Sequence, residues 1–388
     1  MLVRSPSREA RPPLIAEVNW LPAIDGLRAV AIIAVLIHHA NTAALQDWAL
    51  GNAGVALFFS ISGFLAYFVL WKDDQRLGKI NYNYFLLRRI LRIWPAYIAV
   101  ITLAVCLATP EQRAATSQIP LFTFTANWHQ AAMMKPALST LGVLWSIAVE
   151  EQFYLLAPFM YLALRSRQWL AFSTAIIVMS NAGRLIYITY FASSAPYTGL
   201  YFITYSYADI FLGGALAAKW FTEGGTLSKT VQCWLSITAA AVIIATLRFW
   251  GPIVWAPYSP WTLLPYPLLA VAGPLLLVSV AISSETFLGA VLASKPLRFI
   301  GRLSYSLYLL HVLIITKLLD LFGMTFGGFW FYLCFAGLCL PLASALHYGV
   351  ERPFLQLKSH VKATAVPWPA ALIWSLMMIG TIRFFVAN

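Results

Sequence analysis

Charge is what this sequence has least of. Only 10% of its 388 residues are charged, and just 14 are acidic. A soluble domain carries about a quarter charged residues, so this chain cannot cover a water-facing surface, which excludes a soluble enzyme. Cysteine is scarce too. Cys106, Cys233, Cys334 and Cys339 all fall in apolar stretches without the spacing of metal ligands. They read as small hydrophobic residues, and neither a disulfide nor a metal site is expected. Low-complexity tracts, internal repeats and an appended soluble domain are also missing from the sequence. Any chemistry is therefore expected inside an apolar body or at its faces.

What is present is apolar material: 61% of the residues are hydrophobic and the mean hydropathy is +0.75. Runs of about 20 such residues span a bilayer. In lipid the backbone must satisfy its own hydrogen bonds, so these runs are helices. Eleven are expected, at 24–44, 52–71, 94–109, 139–164, 169–191, 200–218, 231–250, 263–283, 303–322, 328–349 and 366–385. The fold class is an all-α, polytopic integral membrane bundle, with the lipid bilayer as a partner. The N-terminus is basic and Pro-rich (Arg4, Arg8, Arg11, Pro12, Pro13), and the run after it holds Asp25, Arg28 and two histidines, poor material for a cleaved signal. It is kept as the first span.

The net charge of +12 does not point to nucleic acid, because the basic residues sit between spans rather than in one patch with stacking aromatics. With the N-terminus in the cytoplasm, nineteen of the 26 lysines and arginines fall on inner segments, as the positive-inside rule requires. The longest inner loop is then 72–93 and the longest outer loop 110–138, where Trp128, His129 and Lys135 either meet an external acceptor or belong to a plain connector.

Ionisable residues in a bilayer are functional candidates by default. Arg28 and His39 are eleven residues apart, about 20° from one helix face and ~16 Å apart along it. His39 is either a general base or an interhelical polar contact, and His38 points about 100° away from it. In Trp145-Ser146-Ile147-Ala148-Val149-Glu150-Glu151-Gln152-Phe153-Tyr154, two adjacent carboxylates either serve a histidine or pair with Arg184 or Arg28. Arg88, Arg89 and Arg92 either bind phosphates or anchor the chain at the inner face. In the stretch from Gly301 through Arg302 and Tyr305 to His311, the histidine is either catalytic or a packed interhelical residue. His347 and Glu351 are spaced to pair. Ser60, Ser62 and Gly63 lie in a membrane helix, not in the strand-to-helix turn of a nucleophile elbow, and are expected to serve close helix packing.

Six stretches occur together and in order: IDGLRAVAIIAVLIHH (24–39), GVALFFSISGFL (54–65), FLLRRILRIWPAY (85–97), LWSIAVEEQFYLLAP (144–158), IGRLSYSLYLLH (300–311) and ERPF (351–354). On these the chain resembles the acyltransferase-3 family of membrane O-acyltransferases. The resemblance implies a membrane domain over 24–355, after an N-terminal cytoplasmic segment 1–23 and before a linker and additional helix over 356–388. It implies acyl-CoA, most often acetyl-CoA, as a donor substrate from the cytoplasm, with no tightly bound cofactor. The acceptor is a hydroxyl of a cell-surface or lipid-linked glycan, or of a small molecule, and the membrane a bacterial inner membrane. Arg28, His39 and Glu150 are the implied catalytic residues, with Glu150 orienting His39 and Arg28 stabilising negative charge. Arg88, Arg89 and Arg92 are the implied donor-phosphate ligands. His38, Ser62, Trp145, Ser146, Glu151, Tyr154, Arg302, Tyr305 and His311 are taken as supporting residues. Some members carry a periplasmic esterase-like domain. This chain stops at Asn388 without one, which puts in doubt a two-stage mechanism completed by a second domain. Direct transfer is the simplest expectation, and an acyl-enzyme on Ser or His would serve if donor and acceptor never meet. A transporter or flippase of the same fold class is the rival reading, but it more often shows broken helices repeated in two halves.

Overall fold

The computed structural model describes residues 21–40, 45, 48–114, 117–133, 135–191, 198–253, 260–281, 286–323, 329–361 and 368–387. Among these no strand occurs, and the chain is a bundle of helices. The long ones are α1 (Pro22–His39), α2 (Leu50–Leu77), α3 (Tyr82–Leu107), α4 (Trp145–Arg165), α5 (Trp169–Phe191), α6 (Ala208–Thr222), α7 (Lys229–Ile253), α8 (Pro265–Ala281), α9 (Lys295–Phe322), α10 (Phe329–Leu346) and α11 (Pro369–Ala387). A helix lies at every expected span. However, only nine helical segments among the described residues are long and apolar enough to cross a bilayer. The two exceptions are α6, of 15 residues, and α11, whose described apolar stretch Pro369–Ile382 falls short. The count of eleven spans therefore does not follow from length and composition. The expected N-terminal segment 1–23 and its arginines lie almost wholly outside the described residues.

Local chemistry sets the helix ends. Pro22 opens α1 in its first turn, where the missing N–H costs nothing. Gly78, at φ +68°, closes α2 by donating its N–H to Asp74 O (3.0 Å). Three residues later the Asn81 side chain accepts from Tyr84 N (3.0 Å) and starts α3. The expected 72–93 loop thus shrinks to residues 78–81, and the third span begins at Tyr82 rather than 94. Its arginines stand on a helix, one turn apart.

The burial pattern is that of a membrane protein. Large apolar side chains such as Met179, Trp234, Leu333 and Ile379 are exposed on the outer helices, while Arg184, Asn127, Ser304 and His311 are fully enclosed. At the centre, α2 lies along α1 and α6, and α1 along α9. Two glycines allow the closest approach. A Cβ on Gly63 would collide with the Phe211 carbonyl, and one on Gly214 with that of Ser60, so α2 and α6 interlock backbone to backbone. The helix α10 runs through a π turn, His347–Glu351, into Arg352–His360.

Candidate active site: a basic vestibule and a carboxylate-centred cavity

At the end of the bundle where α2 turns into α3, a vestibule of about 710 Å³ is lined by Arg28, Lys72, Arg76, Arg88 and Arg92, facing Asp25 and Asp73. Arg88 pairs with Asp73 and lies over the Tyr84 ring, 4.2 Å from its centroid. Arg28 lies 3.7 Å from Asp25. Arg92 has no ion pair or hydrogen bond among the described residues. Five cations against two carboxylates leave a net positive basin.

The vestibule shares Arg28, Leu65 and Arg92 with a second cavity of about 80 Å³. Here the walls are apolar (Val55, Phe58, Phe59) and hydroxylic (Ser62, Ser146, Tyr308), and Glu150 supplies the carboxylate. Glu150 Oε1 accepts from Ser62 Oγ and from Tyr154 OH (2.5 Å). Ser62, expected to serve packing, is instead half of a hydroxyl–carboxylate pair. Arg89 is buried over the Tyr154 ring (4.7 Å) and the Phe85 ring (5.2 Å). The three arginines expected in one phosphate site are thus divided: Arg88 in the vestibule, Arg89 in the cavity and Arg92 at the neck between them.

The adjacent Glu151 points elsewhere, as the ~100° helical step demands. It is buried, with Oε2 accepting from Trp94 Nε1 (3.2 Å). Tyr305 donates to the Ile93 carbonyl (2.7 Å). Tyr308 OH and Ser146 Oγ share a hydrogen bond (2.6 Å) beside the Val143 carbonyl. Trp145 lies outside the cavity lining and packs against Phe59, Tyr201 and Tyr207.

The two histidines form a separate cluster. His39 and His311 have ring centroids 4.8 Å apart. His39 Nδ1 donates to Val35 O (3.0 Å), and His311 Nδ1 to Tyr308 O (2.8 Å). A carbonyl only accepts, so both rings carry their proton on Nδ1 and present a bare Nε2 lone pair. His311 is fully buried and its Nε2 has no partner. His38 sits edge-on to His39, over Gly51. Neither His39 nor His311 lines the cavity; the Tyr308 ring, 5.5 Å from His311 and 6.3 Å from Phe58, stands between. The expected Glu150–His39 contact does not occur among the described residues: Glu150 Oε1 accepts from Ser62 and Tyr154, and His39 lies outside the cavity lining. Arg302 faces out of the bundle, exposed, and joins neither cavity.

Beyond the histidines, residues 117–133 and 135–138 are folded rather than a plain connector. Gln152 Nε2 donates to Phe124 O (2.8 Å) and Asn127 Oδ1 (2.9 Å), while its Oε1 accepts from Thr204 and from Trp128 Nε1 (3.3 Å). Asn127 Nδ2 in turn reaches Phe202 O (3.1 Å) and Thr204 Oγ1 (3.0 Å). Phe124 takes the left-handed φ of +53°, rare for an aromatic residue, and stacks on Tyr97 at 5.0 Å. Nearby, burial pushes the His129 imidazole below its ordinary pKa.

Elsewhere, His347 Nδ1 meets Glu351 Oε2 at 2.8 Å, the expected pair, which Ser306 joins at 3.2 Å. Arg184 pairs with neither glutamate. It bonds Asp209, donates to Ser206 O (2.8 Å) and lies over Tyr266 (4.6 Å), which ties α5 to α6. Asp73 and Asp209 were missed. Their signal was scarcity, since each stands in or beside an apolar run in a chain with so few carboxylates.

A family model described as an acyltransferase domain matches residues 21–348. The O-acetyltransferase OatA of Staphylococcus aureus is 30% identical over 314 residues, which are 76% of this chain and 51% of that protein. The peptidoglycan O-acetyltransferase OatA of Listeria monocytogenes is 28% identical over 333 residues, 80% of this chain and 52% of its own length. The chain thus spans about half the length of these curated relatives. No solved structure matches it.

Proposed function

This chain belongs to the acyltransferase-3 family, and on that premise we propose that it is a membrane O-acetyltransferase. It takes an acetyl group from acyl-CoA on the cytoplasmic side of a bacterial inner membrane and delivers it to a sugar hydroxyl of a peptidoglycan-type or lipid-linked glycan. The observation that carries this reading is a net-positive vestibule that shares Arg28, Leu65 and Arg92 with a smaller cavity holding one carboxylate among hydroxyls. A donor with several phosphates and a long uncharged arm needs such a path: cations at the mouth, apolar walls beyond. Arg76, Arg88 and Arg92 receive the phosphates. Arg28 and Arg92, on the wall shared by the two spaces, stabilise the oxyanion that forms on the thioester carbonyl. Glu150, held by Ser62 and Tyr154, takes up a proton in the cavity. His39, with its bare Nε2 fixed by the Val35 carbonyl, serves as the base for the acceptor hydroxyl on the far side of Tyr308.

The names of the relatives support acetyl as the group and peptidoglycan as the acceptor class. The test is CoA release from acetyl-CoA by purified, detergent-solubilised protein, with and without a muropeptide acceptor. Release that the acceptor accelerates, and that His39→Ala abolishes at normal protein levels, is the expected result. No CoA release under either condition would discard the enzyme reading in favour of a transporter.

A further inference from the structure

The proposed roles leave one arrangement unused. The cavity's carboxylate is bonded to two hydroxyls, while the imidazoles stand apart behind Tyr308. Donor and acceptor are thus served by different groups on the two sides of an aromatic partition. Direct attack of the acceptor on the thioester would need both molecules in a space of about 80 Å³. A relay removes that requirement.

We propose that Ser62 carries the acetyl group as an ester between donor and acceptor, with Glu150 as its base. The inference rests on the reading of acyl-CoA as donor. Of the serines lining the cavity, Ser62 alone has a carboxylate partner. Ser146 is bonded to Tyr308 and the Val143 carbonyl, and Ser304 Oγ is buried without a partner. A carbonyl accepts a hydrogen bond but does not take the proton, so those hydroxyls have no base. Tyr154 shares the carboxylate, but its ring is held under the Arg89 guanidinium and against Phe85. It orients Glu150 as a positioning residue. Ser62 is also on the right track. Leu65, one turn away on α2, lines both cavity and vestibule, and Lys72, ten residues or ~15 Å along the same helix, lines the vestibule. A donor threaded along α2 from its phosphate end meets Ser62 as the first hydroxyl with a base.

In the first step Ser62 Oγ attacks the thioester carbonyl and its proton passes to Glu150. The carbon–sulfur bond breaks, the CoA thiolate takes that proton from Glu150 and leaves as the thiol, and an acetyl ester remains on Ser62. In the second step the acceptor hydroxyl attacks this ester and its proton passes to His39; the ester bond breaks, and that same proton returns from His39 to Ser62 Oγ, restoring both groups. Glycine at position 63 lets α2 sit tight on α6, so Ser62 is presented from a rigid backbone.

The experiment is single-turnover labelling of the full chain in detergent with [14C]acetyl-CoA and no acceptor, quenched in acid and mapped by peptide mass spectrometry. Near-stoichiometric acetylation of Ser62 is expected in the wild type. Ser62→Ala should lose the label and slow CoA release by roughly 100-fold or more, while acetyl-CoA still binds in equilibrium dialysis. Ser62→Cys guards against a folding artefact, since its label should become a thioester that neutral hydroxylamine removes. Wild-type turnover with no trapped label, a label on Tyr154 or His39, or Ser62→Ala turning over within a few-fold of wild type would each overturn the relay while leaving the donor reading intact. Absence of CoA release from the wild type would remove the donor reading, and the relay with it.

Discussion

The two ends of this bundle are made of different chemistry. Around the vestibule the side-chain pairs carry full charges: Arg28 with Asp25, Arg88 with Asp73, Arg165 with Asp74, while Arg92 has no ion pair among the described residues. At the other end the network centred on Gln152 is neutral, built from Asn127, Thr204 and backbone carbonyls, although Arg184 reaches the Ser206 carbonyl in the same segment. Charged basins attract ions over a Debye length and are weakened by salt. Amide and hydroxyl networks read neutral polyols at contact range. The contrast fits a donor that is an anion and an acceptor that is mostly hydroxyl, with Glu150 and the His39–His311 pair between the two ends.

That contrast can be broken at its centre first. Glu150→Gln is expected to lower kcat for CoA release by about 10²–10⁴-fold, whereas Glu151→Gln, which touches Trp94 and not the cavity, should stay within about tenfold of wild type. Equal losses would erase the distinction between the neighbours. The next effect belongs to the charged end. Arg92→Ala removes a charge-assisted contact of about 1.5–3 kcal/mol and should raise the donor KM by roughly 10–100-fold, leaving the acceptor KM alone. Asp73→Asn, which frees Arg88, should shift donor KM the other way by a few-fold. Asn127→Ala probes the neutral end. It strips partners from Gln152 Nε2 and the Phe202 carbonyl, costing about 1–3 kcal/mol, so a lower Tm in detergent and a raised acceptor KM with unchanged donor KM are expected. The smallest effect is on pH. His129 has a folded pKa below its ordinary value, so the unfolded segment binds more protons as pH falls through about 6.5. The protection of residues 126–133, taken relative to the intrinsic exchange rate at each pH, should therefore fall below that pH in the wild type and lose this dependence in His129→Gln.

Helix positions were legible because apolar runs in lipid have one solution, and Glu150 and Glu151 stood out because carboxylates are scarce in such runs. The face that Arg28 and His39 were expected to share does not make one site: Arg28 lines the cavity and His39 does not. The start of α3 was not. Trp94-Pro95 looks like a helix opening, since proline favours the first turn, yet Pro95 lies inside α3, where neighbouring helices in a bundle tolerate it. Periodicity says that Glu150 and Glu151 face different ways. It does not say which one meets the cavity, because that depends on how α4 is rotated against α2. Likewise His39 and His311 are 272 residues apart, and only the packing of α1 on α9 brings them together. Arg302 shares its stretch with Tyr305 and His311 but stands on the exposed face of α9.

Residues Glu150, Glu151 and Gln152 radiate from one turn of α4 like spokes, toward the Ser62 hydroxyl, the Trp94 indole and the Asn127 amide in turn. With side-chain tips ~5–6 Å from the axis, a twist of about 10° at the Gln152 spoke swings the Glu150 tip by roughly 1 Å. A displacement of that size is enough to change a rate about a hundredfold. On the proposed reading, an acceptor seated on the neutral end would act through the axle of α4 on the timing of proton transfer in the cavity.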